Sequence, residues 1–188
     1  MTESKSRRIA IDVDNVLADS AGSFCKKWSK KWRVNVNPSM IKYPKIIGSF
    51  KADPREIMKV QQEVWLDWKN LALVEQDAGK TIRSLRNANN TIEIATSRPQ
   101  NSVQNVLCWL KQNCIEYDTF KRFDVRESKA TIYADVLVDD DQRMIFDFVQ
   151  MTKVPRIGLL YDRPWNRDVL LWEDRIFRIT SLKEVQSH

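Results

Sequence analysis

Short apolar runs recur along the chain, each closed by a polar turn. The run at 9–13 follows two arginines and ends in aspartates. The run at 91–95 leads into Thr96-Ser97-Arg98-Pro99, and the run at 136–138 into three aspartates. The run at 154–160 leads into Tyr161-Asp162-Arg163-Pro164, and residues 175–179 alternate before Thr180-Ser181. Apolar runs of this length, bounded by turn residues, predict buried strands with polar groups at their C-terminal ends. Helical spacing fills the gaps. Val103, Val106, Leu107 and Leu110 share a face, with Asn101 or Ser102 available as N-cap, and Ile145, Phe148 and Val149 do the same after the aspartates. A helix at 78–86 carries Ile82 and Leu85, and Ser181 with Glu184 has capping-box spacing for a last short helix. Strands alternating with helices predict an α/β fold: a Rossmann-like parallel sheet covered on both faces, binding ligands at its C-terminal strand ends.

One stretch breaks the rhythm. Between Asn15 and about Val74 no strand pair stands out, and the pattern is helical. Phe24, Trp28 and Trp32 fall four apart on one stripe. Asp53-Pro54-Arg55-Glu56 combines an N-cap, a proline at the first helical position and an acid at the third. Ile57, Val60, Val64 and Trp68 then line one face, flanked by Met58 and Trp65. The expected organisation is an α/β core from residues 1–15 and 75–188, with a helical cap, 16–74, inserted after the first strand. Such a cap could act as a lid.

The chain has 188 residues, and its single histidine is the last of them. Terminal side chains are usually disordered, so His188 is discounted as a catalytic group. That excludes Ser-His-Asp and Cys-His catalysis and His-ligated zinc, and leaves carboxylates, lysine, hydroxyls or a cofactor. The formal charge of +6 points to anionic partners, among them phosphorylated small molecules and nucleic acid. Cys25, Cys108 and Cys114 lack CxxC spacing and read as reduced thiols. Met1 to Arg8 has no apolar signal core, and no apolar run reaches membrane-spanning length. The expectation is a soluble cytoplasmic protein with no membrane partner.

The candidate chemistry is acidic. In Ile11-Asp12-Val13-Asp14-Asn15-Val16-Leu17-Ala18-Asp19, two aspartates follow a strand, and the turn can bring Asp14 over the pocket that Asp12 faces. Alone, such a pair is as readily a solvated loop or a helix cap. Val138-Asp139-Asp140-Asp141 sets three acids after another buried strand. Two such charges 4 Å apart cost about 4 kcal/mol at an effective dielectric near 20. Were the two strand ends adjacent, a divalent cation would offset that cost. All-oxygen ligation fits magnesium, with manganese second. Thr96-Ser97 supplies hydroxyls at a third strand end, although a helix cap would use them too. Lys129 precedes the strand before Asp139; a lone lysine is more often a solvated surface group. Together these groups suit phosphoryl transfer: a carboxylate attacks phosphorus, a second protonates the leaving oxygen, and hydroxyl, lysine and metal stabilise the anionic oxygens.

The ordered set Asp-x-Asp, Thr/Ser, Lys, Asp-Asp over about residues 8–181 resembles the haloacid dehalogenase (HAD) superfamily of phosphohydrolases. A closer resemblance is to the 5'(3')-deoxyribonucleotidases. Their Asp-x-Asp-Gly-Val-Leu-Ala-Asp is similar to Asp12-Val13-Asp14-Asn15-Val16-Leu17-Ala18-Asp19, and their Thr-Ser followed by Pro to Thr96-Ser97-Arg98-Pro99. Their lysine also stands ten residues before the Asp-Asp pair, as Lys129 stands before Asp139. The resemblance implies an HAD core, Asp12 as nucleophile and Asp14 as general acid, then base. It implies phosphate binding by Thr96, Ser97 and Lys129. It implies magnesium held by the Asp12 carboxylate, the Asp14 main-chain carbonyl and Asp140, with Asp139 in support through water or Lys129. Two departures stand out. Asn15 replaces a glycine, which asparagine can do at positive φ. Ser20 stands where the family carries an aromatic that packs on the base. The loop Tyr161-Asp162-Arg163-Pro164-Trp165-Asn166-Arg167 also matches the family, with no catalytic role assigned.

Lys26-Lys27-Trp28-Ser29-Lys30-Lys31-Trp32-Arg33 is the densest basic stretch. It could hold a nucleic-acid strand through phosphate contacts and stacking. The fourfold aromatic spacing is also what packing alone produces, with tryptophans inward and lysines solvated, and that reading is preferred. The expected function is a magnesium-dependent phosphatase of a small phosphorylated substrate, foremost a (deoxy)nucleoside monophosphate. The alternatives are a phosphatase of polynucleotide ends and a non-catalytic nucleotide-binding regulator.

Overall fold

A computed structural model describes residues 6–43, 46, 48–124, 127–151 and 154–188. Residues 1–5 of the polar N-terminal segment, and residues 44, 45 and 47 of the expected cap, lie outside the described residues.

Six parallel strands form one sheet in the order β3-β2-β1-β4-β5-β6. They are β1 (Arg8–Asp12), β2 (Thr91–Thr96), β3 (Thr119–Arg122), β4 (Val136–Asp139), β5 (Ile157–Tyr161) and β6 (Ile176–Ile179). Strand residues alternate between two cores. Ile9, Ile11, Ile92, Ile94, Val136 and Val138 face one, while Ala10, Ala95, Leu137 and Leu160 face the other. Both faces are dry, as the apolar runs predicted. The helices are α1 (Ser20–Trp32), α2 (Pro54–Leu66), α3 (Ala78–Asn87), α4 (Val103–Gln112) and α5 (Gln142–Gln150). The second core is closed by α5 through Ile145, Phe148 and Val149.

Several expectations need correction. β3 was not foreseen, because Thr-Phe-Lys-Arg is a half-exposed edge strand with no apolar run. β5 begins at Ile157 rather than 154, since Val154 is exposed and Pro155 cannot donate to a ladder. Ser102 holds the N-cap position of α4 but makes no side-chain cap bond; a 3-10 turn, Gln100–Ser102, leads into that helix, and the Ser102 hydroxyl donates to the Pro99 carbonyl. The final element has its capping box but is a 3-10 helix, Leu182–Ser187. His188 is not loose, because its ring stacks on Phe177 at 4.3 Å.

The segment between β1 and α3 is helical, as expected. Asp53 caps α2 by accepting from the Arg55 amide, and Pro54 is its first residue. Asp19 caps α1 through the Gly22 amide. The segment enters and leaves together: Asp19 N donates to Ala72 O, Val74 N to Leu17 O, and Ala18 bridges Leu73. Its buried Phe24, Trp28, Ile57 and Val60 belong to the same cluster as Ile9 and Ile11, so segment and sheet share one core. Lysines of the basic stretch face outward onto α2 and the turn after it, Lys27 pairing with Asp67 at 2.7 Å and Lys31 with Glu56 at 2.6 Å. Trp28 is buried in a stack with Phe24 and Phe50, while Trp32 is 48% exposed at the end of the stripe. This is the arrangement that packing requires of the stripe.

Gly158 shows how tightly α5 meets the sheet. A Cβ there would lie 2.6 Å from Ile145 Cγ2 and 3.0 Å from Val149 Cγ2. Gly158→Ala should therefore lower stability by about 1–3 kcal/mol, read as a lower urea midpoint with an unchanged slope.

Candidate active site

β1 lies between β2 and β4, and Ile11 pairs with Val138 in register. The next residues, Asp12 and Asp139, thus emerge side by side. The chain leaves β1 towards β2 on one side, while β4 lies on the other, so the crevice opens where strand order switches.

Lys129 fills the gap between the two carboxylates. It sits in a 3-10 turn, Lys129–Thr131, capped by Ser128, and is 3% exposed. Its Nζ lies 2.7 Å from Asp12 Oδ1 and 2.8 Å from Asp139 Oδ2. The three acids after β4 have separate partners. Asp139 takes Lys129 and the Asp141 amide, and Asp141 caps α5 and pairs with Arg143. Asp140 accepts from Trp165 Nε1 at 3.0 Å, and Asn15 Nδ2 stands 3.4 Å from the same oxygen. Asp12, Asp139 and Asp140 each offer an oxygen within 4.8 Å of the others.

Asp14 turns elsewhere. Its carboxylate accepts a fork from Arg98, Nε at 2.6 Å and Nη2 at 2.5 Å, and a third bond from Trp65 Nε1 at 3.1 Å. Trp65 is on α2, so this aspartate ties the inserted helices to the sheet. Arg98 also lies over the Trp65 ring, 5.2 Å from its centroid. Asn15 adopts φ 61, and its Oδ1 accepts from the Ser20 hydroxyl and the Ala21 amide, locking the turn onto α1.

Electrostatics follow from burial. Asp12 is pushed up to about 7, first by burial and then by Asp139 and Asp14, against the opposing pull of Lys129. Burial raises Asp139, and it raises Asp140 well above the usual range with the help of its acidic neighbours. For Lys129 burial works against the charge, but Asp12 and Asp139 outweigh it and move the ammonium upward. At Asp14 burial again opposes ionisation. The charge and hydrogen bonds of Arg98, with those of Ser20 and Trp65, prevail and hold it below the usual range.

A cavity of about 330 Å³ opens above these groups. Asp12, Asp14, Ser97, Lys129, Asp139 and Asp140 are on its walls, so six of the seven residues expected from the sequence meet in one place. Thr96 is the exception. It is fully buried, its hydroxyl accepts from the Arg98 amide, and it does not line the cavity. Arg98, Trp65, Asn15 and Trp165 are contributors that the sequence reading did not assign. Arg98 stands directly after the hydroxyl pair at a strand end, which was the available signal. The other three could be found only through their partners in space.

Comparison with family models finds no match, and comparison with curated proteins finds none either. Solved structures do match. A haloacid dehalogenase-like hydrolase from Streptococcus pneumoniae aligns with a TM-score of 0.68 at 15% identity, covering 100% of this chain and 99% of that one. The chain has the HAD-like hydrolase fold. A HAD family hydrolase from Deinococcus radiodurans, solved with bound phosphate and sodium, aligns at 0.63 and 16% identity, covering 97% of this chain and 94% of that one. A HAD-hydrolase from Bacillus subtilis bound to magnesium aligns at 0.62 and 11% identity, covering 98% of each chain. Among the described residues of this HAD-like fold, no helix is long and apolar enough to cross a membrane.

The donor set suits a divalent cation. Asp12, Asp14, Asp139 and Asp140 carry four negative charges when ionised, against one each on Lys129 and Arg98, which leaves two. The three clustered donors are all carboxylate oxygens, as hard cations prefer. Protons take that place when no cation does. Folded Asp12 holds a proton up to about 7, whereas its ordinary value is 3.8. A raised carboxyl stabilises the fold below its unfolded value and loses that contribution as pH climbs through the folded one. The metal-free protein should therefore lose stability between about pH 4 and pH 7, on the order of a few kcal/mol. A divalent cation should stabilise it more at pH 8 than at pH 5, because protons compete for the same oxygens. Urea unfolding with EDTA and with excess cation, at both pH values, measures this.

Proposed function

We propose that the chain is a magnesium-dependent phosphatase that hydrolyses a phosphomonoester, foremost a (deoxy)nucleoside monophosphate, through an aspartyl-phosphate. The observation that carries it is the buried Lys129 bridging Asp12 and Asp139 at the floor of the cavity. Lys129 occupies one oxygen of Asp12 and orients the other for attack on phosphorus. The P–O bond to the leaving group breaks as the Asp12–phosphorus bond forms, and Asp14 gives the leaving oxygen a proton. Water then attacks the phosphorus and yields its proton to Asp14, which regenerates Asp12 and releases phosphate. Lys129 and Ser97 face the transferring oxygens, and Thr96, beneath Arg98, shapes the loop that presents Ser97. Asp12, Asp140 and the Asp14 main-chain carbonyl would hold magnesium, with Asp139 in support. The ion would supply charge stabilisation to the phosphoryl oxygens.

Arg98 and Trp65 hold Asp14 as a carboxylate, the form that serves as base. To act first as the acid it has to give up the Arg98 contact and take a proton from solvent. The cavity roof argues for the leaving group. Phe24, Ile46, Met58 and Val64 offer apolar surface, and Gln61 and Gln62 offer amides. A neutral group with an apolar face and hydrogen-bonding edges fits that lining, as a nucleoside does. Three free thiols agree with a reducing compartment, the cytoplasm. A second reading, nucleotide binding without turnover, is favoured by the capture of Asp14 by Arg98.

Steady-state hydrolysis over deoxy- and ribonucleotides, sugar phosphates and 3'-phosphorylated oligonucleotides tests the proposal. Nucleoside monophosphates should turn over fastest, EDTA should abolish the rate, and added Mg²⁺ should restore it. Asp12→Asn should lower kcat by at least about a thousandfold while its circular dichroism shows that it stays folded. An unchanged rate under chelation removes the metal, and substantial turnover by Asp12→Asn removes the nucleophile. Tight nucleotide binding with no turnover in the unsubstituted protein selects the second reading.

A further inference from the structure

The loop after β5 reaches the site through polar contacts with Asn15 and Asp140. Arg163 Nε donates to the Asn15 carbonyl at 2.6 Å. Trp165 Nε1 donates to Asp140 Oδ2 at 3.0 Å. Asn166 Nδ2 donates to the Asp140 carbonyl at 3.0 Å and to the Tyr161 carbonyl at 2.8 Å. Asn166 is itself fully buried and pinned by Arg178, whose Nη1 donates to Asn166 Oδ1 at 2.8 Å. A 3-10 turn, Pro164–Asn166, fixes the spacing of these donors.

These contacts differ from those of the other acids. Lys129 brings a full charge to the Asp12–Asp139 pair and offsets one of its two negative charges. Asp140 has no cation within salt-bridge distance among the described residues. It is 5% exposed and takes only neutral N–H donors, all directed at one oxygen and the main chain. Neutral donors fix where a carboxylate points without cancelling its charge. The side-chain donors engage Oδ2, and a carboxylate oxygen of Asp140 lies within 4.8 Å of those of Asp12 and Asp139. Partners of this kind behind a ligand typically change metal affinity 10–100-fold.

We infer that Trp165 is a positioning residue for the metal: its indole N–H holds Asp140 in the orientation that binds a divalent cation, on the scaffold that Asn166 and Arg163 provide. The inference rests on the metal assignment in the proposed function and is independent of the substrate. The test is isothermal titration of the EDTA-treated full chain with Mg²⁺ alone, comparing wild type with Trp165→Phe, which keeps an aromatic ring and removes the donor. Trp165→Phe should bind Mg²⁺ about 10–100-fold more weakly. Its activity should recover at high Mg²⁺, with the substrate KM unchanged. A role in packing alone would lower the unfolding midpoint and leave the Mg²⁺ affinity as it was, and that result overturns the inference. Should Trp165→Phe not fold, wild type still decides. The Trp165 indole N–H resonance should move over the Mg²⁺ range that saturates binding, and an unmoved resonance overturns the inference. A wild-type chain that binds no Mg²⁺ overturns it together with the metal assignment. Mg²⁺ binding with the expected Trp165 dependence but no hydrolysis overturns the phosphatase reading alone.

Discussion

One buried ammonium makes the rest of the site tenable. Carboxylates at the ends of β1 and β4 are brought side by side by strand order, and both are taken out of water. Unpaired, each would be strongly disfavoured as an ion. Lys129 touches both, so their mutual repulsion becomes two short attractions. Its turn lies immediately before β4, and the sheet order therefore carries the cation with the strand that needs it. The remaining carboxylate excess is not relieved by the protein, and that residue of charge is the physical reason the pocket suits a hard cation.

Each other acid is held by a different layer of the molecule. Asp141 belongs to α5 as its cap. Asp140 belongs to the loop after β5. Asp14 belongs to Arg98, after β2, and to Trp65, on α2. The inserted helices are thus joined to the sheet by the Trp65 hydrogen bond to Asp14 as well as by a shared apolar core. Groups held this way need little reorganisation when charge shifts, which is what the proposed reaction would require of them. Asp14 is the exception among these acids, because its partners favour its ionised form.

Much of this was legible along the chain because burial leaves a periodic trace. Strands covered on both faces read as apolar runs, and β1, β2 and β4 were visible for that reason. α2 announced itself through Asp53 and Pro54. β3 left no such trace, since an edge strand buries too little, and the 3-10 endings differ from helices in backbone geometry more than in residue type. Among the polar residues, Asp12, Asp14, Asp139, Asp140 and Ser97 could be placed at strand ends and Lys129 ahead of β4, and they meet in the cavity. Thr96 shared the same motif yet faces inward, because its hydroxyl serves the Arg98 amide.

The chain's own order of residues determined the α/β alternation, the position of the inserted helices and a histidine-free site built on carboxylates. These are local matters, settled by periodicity and by which side chains exist. The tertiary structure alone decided which acids share a cation, which oxygen is engaged, and that Arg98, Trp65 and Trp165 take part. Those partners are separated from their carboxylates by 25 to 84 residues. A hydrogen bond acts over about 3 Å, so only the folded sheet, with its loops and cap in place, can set it.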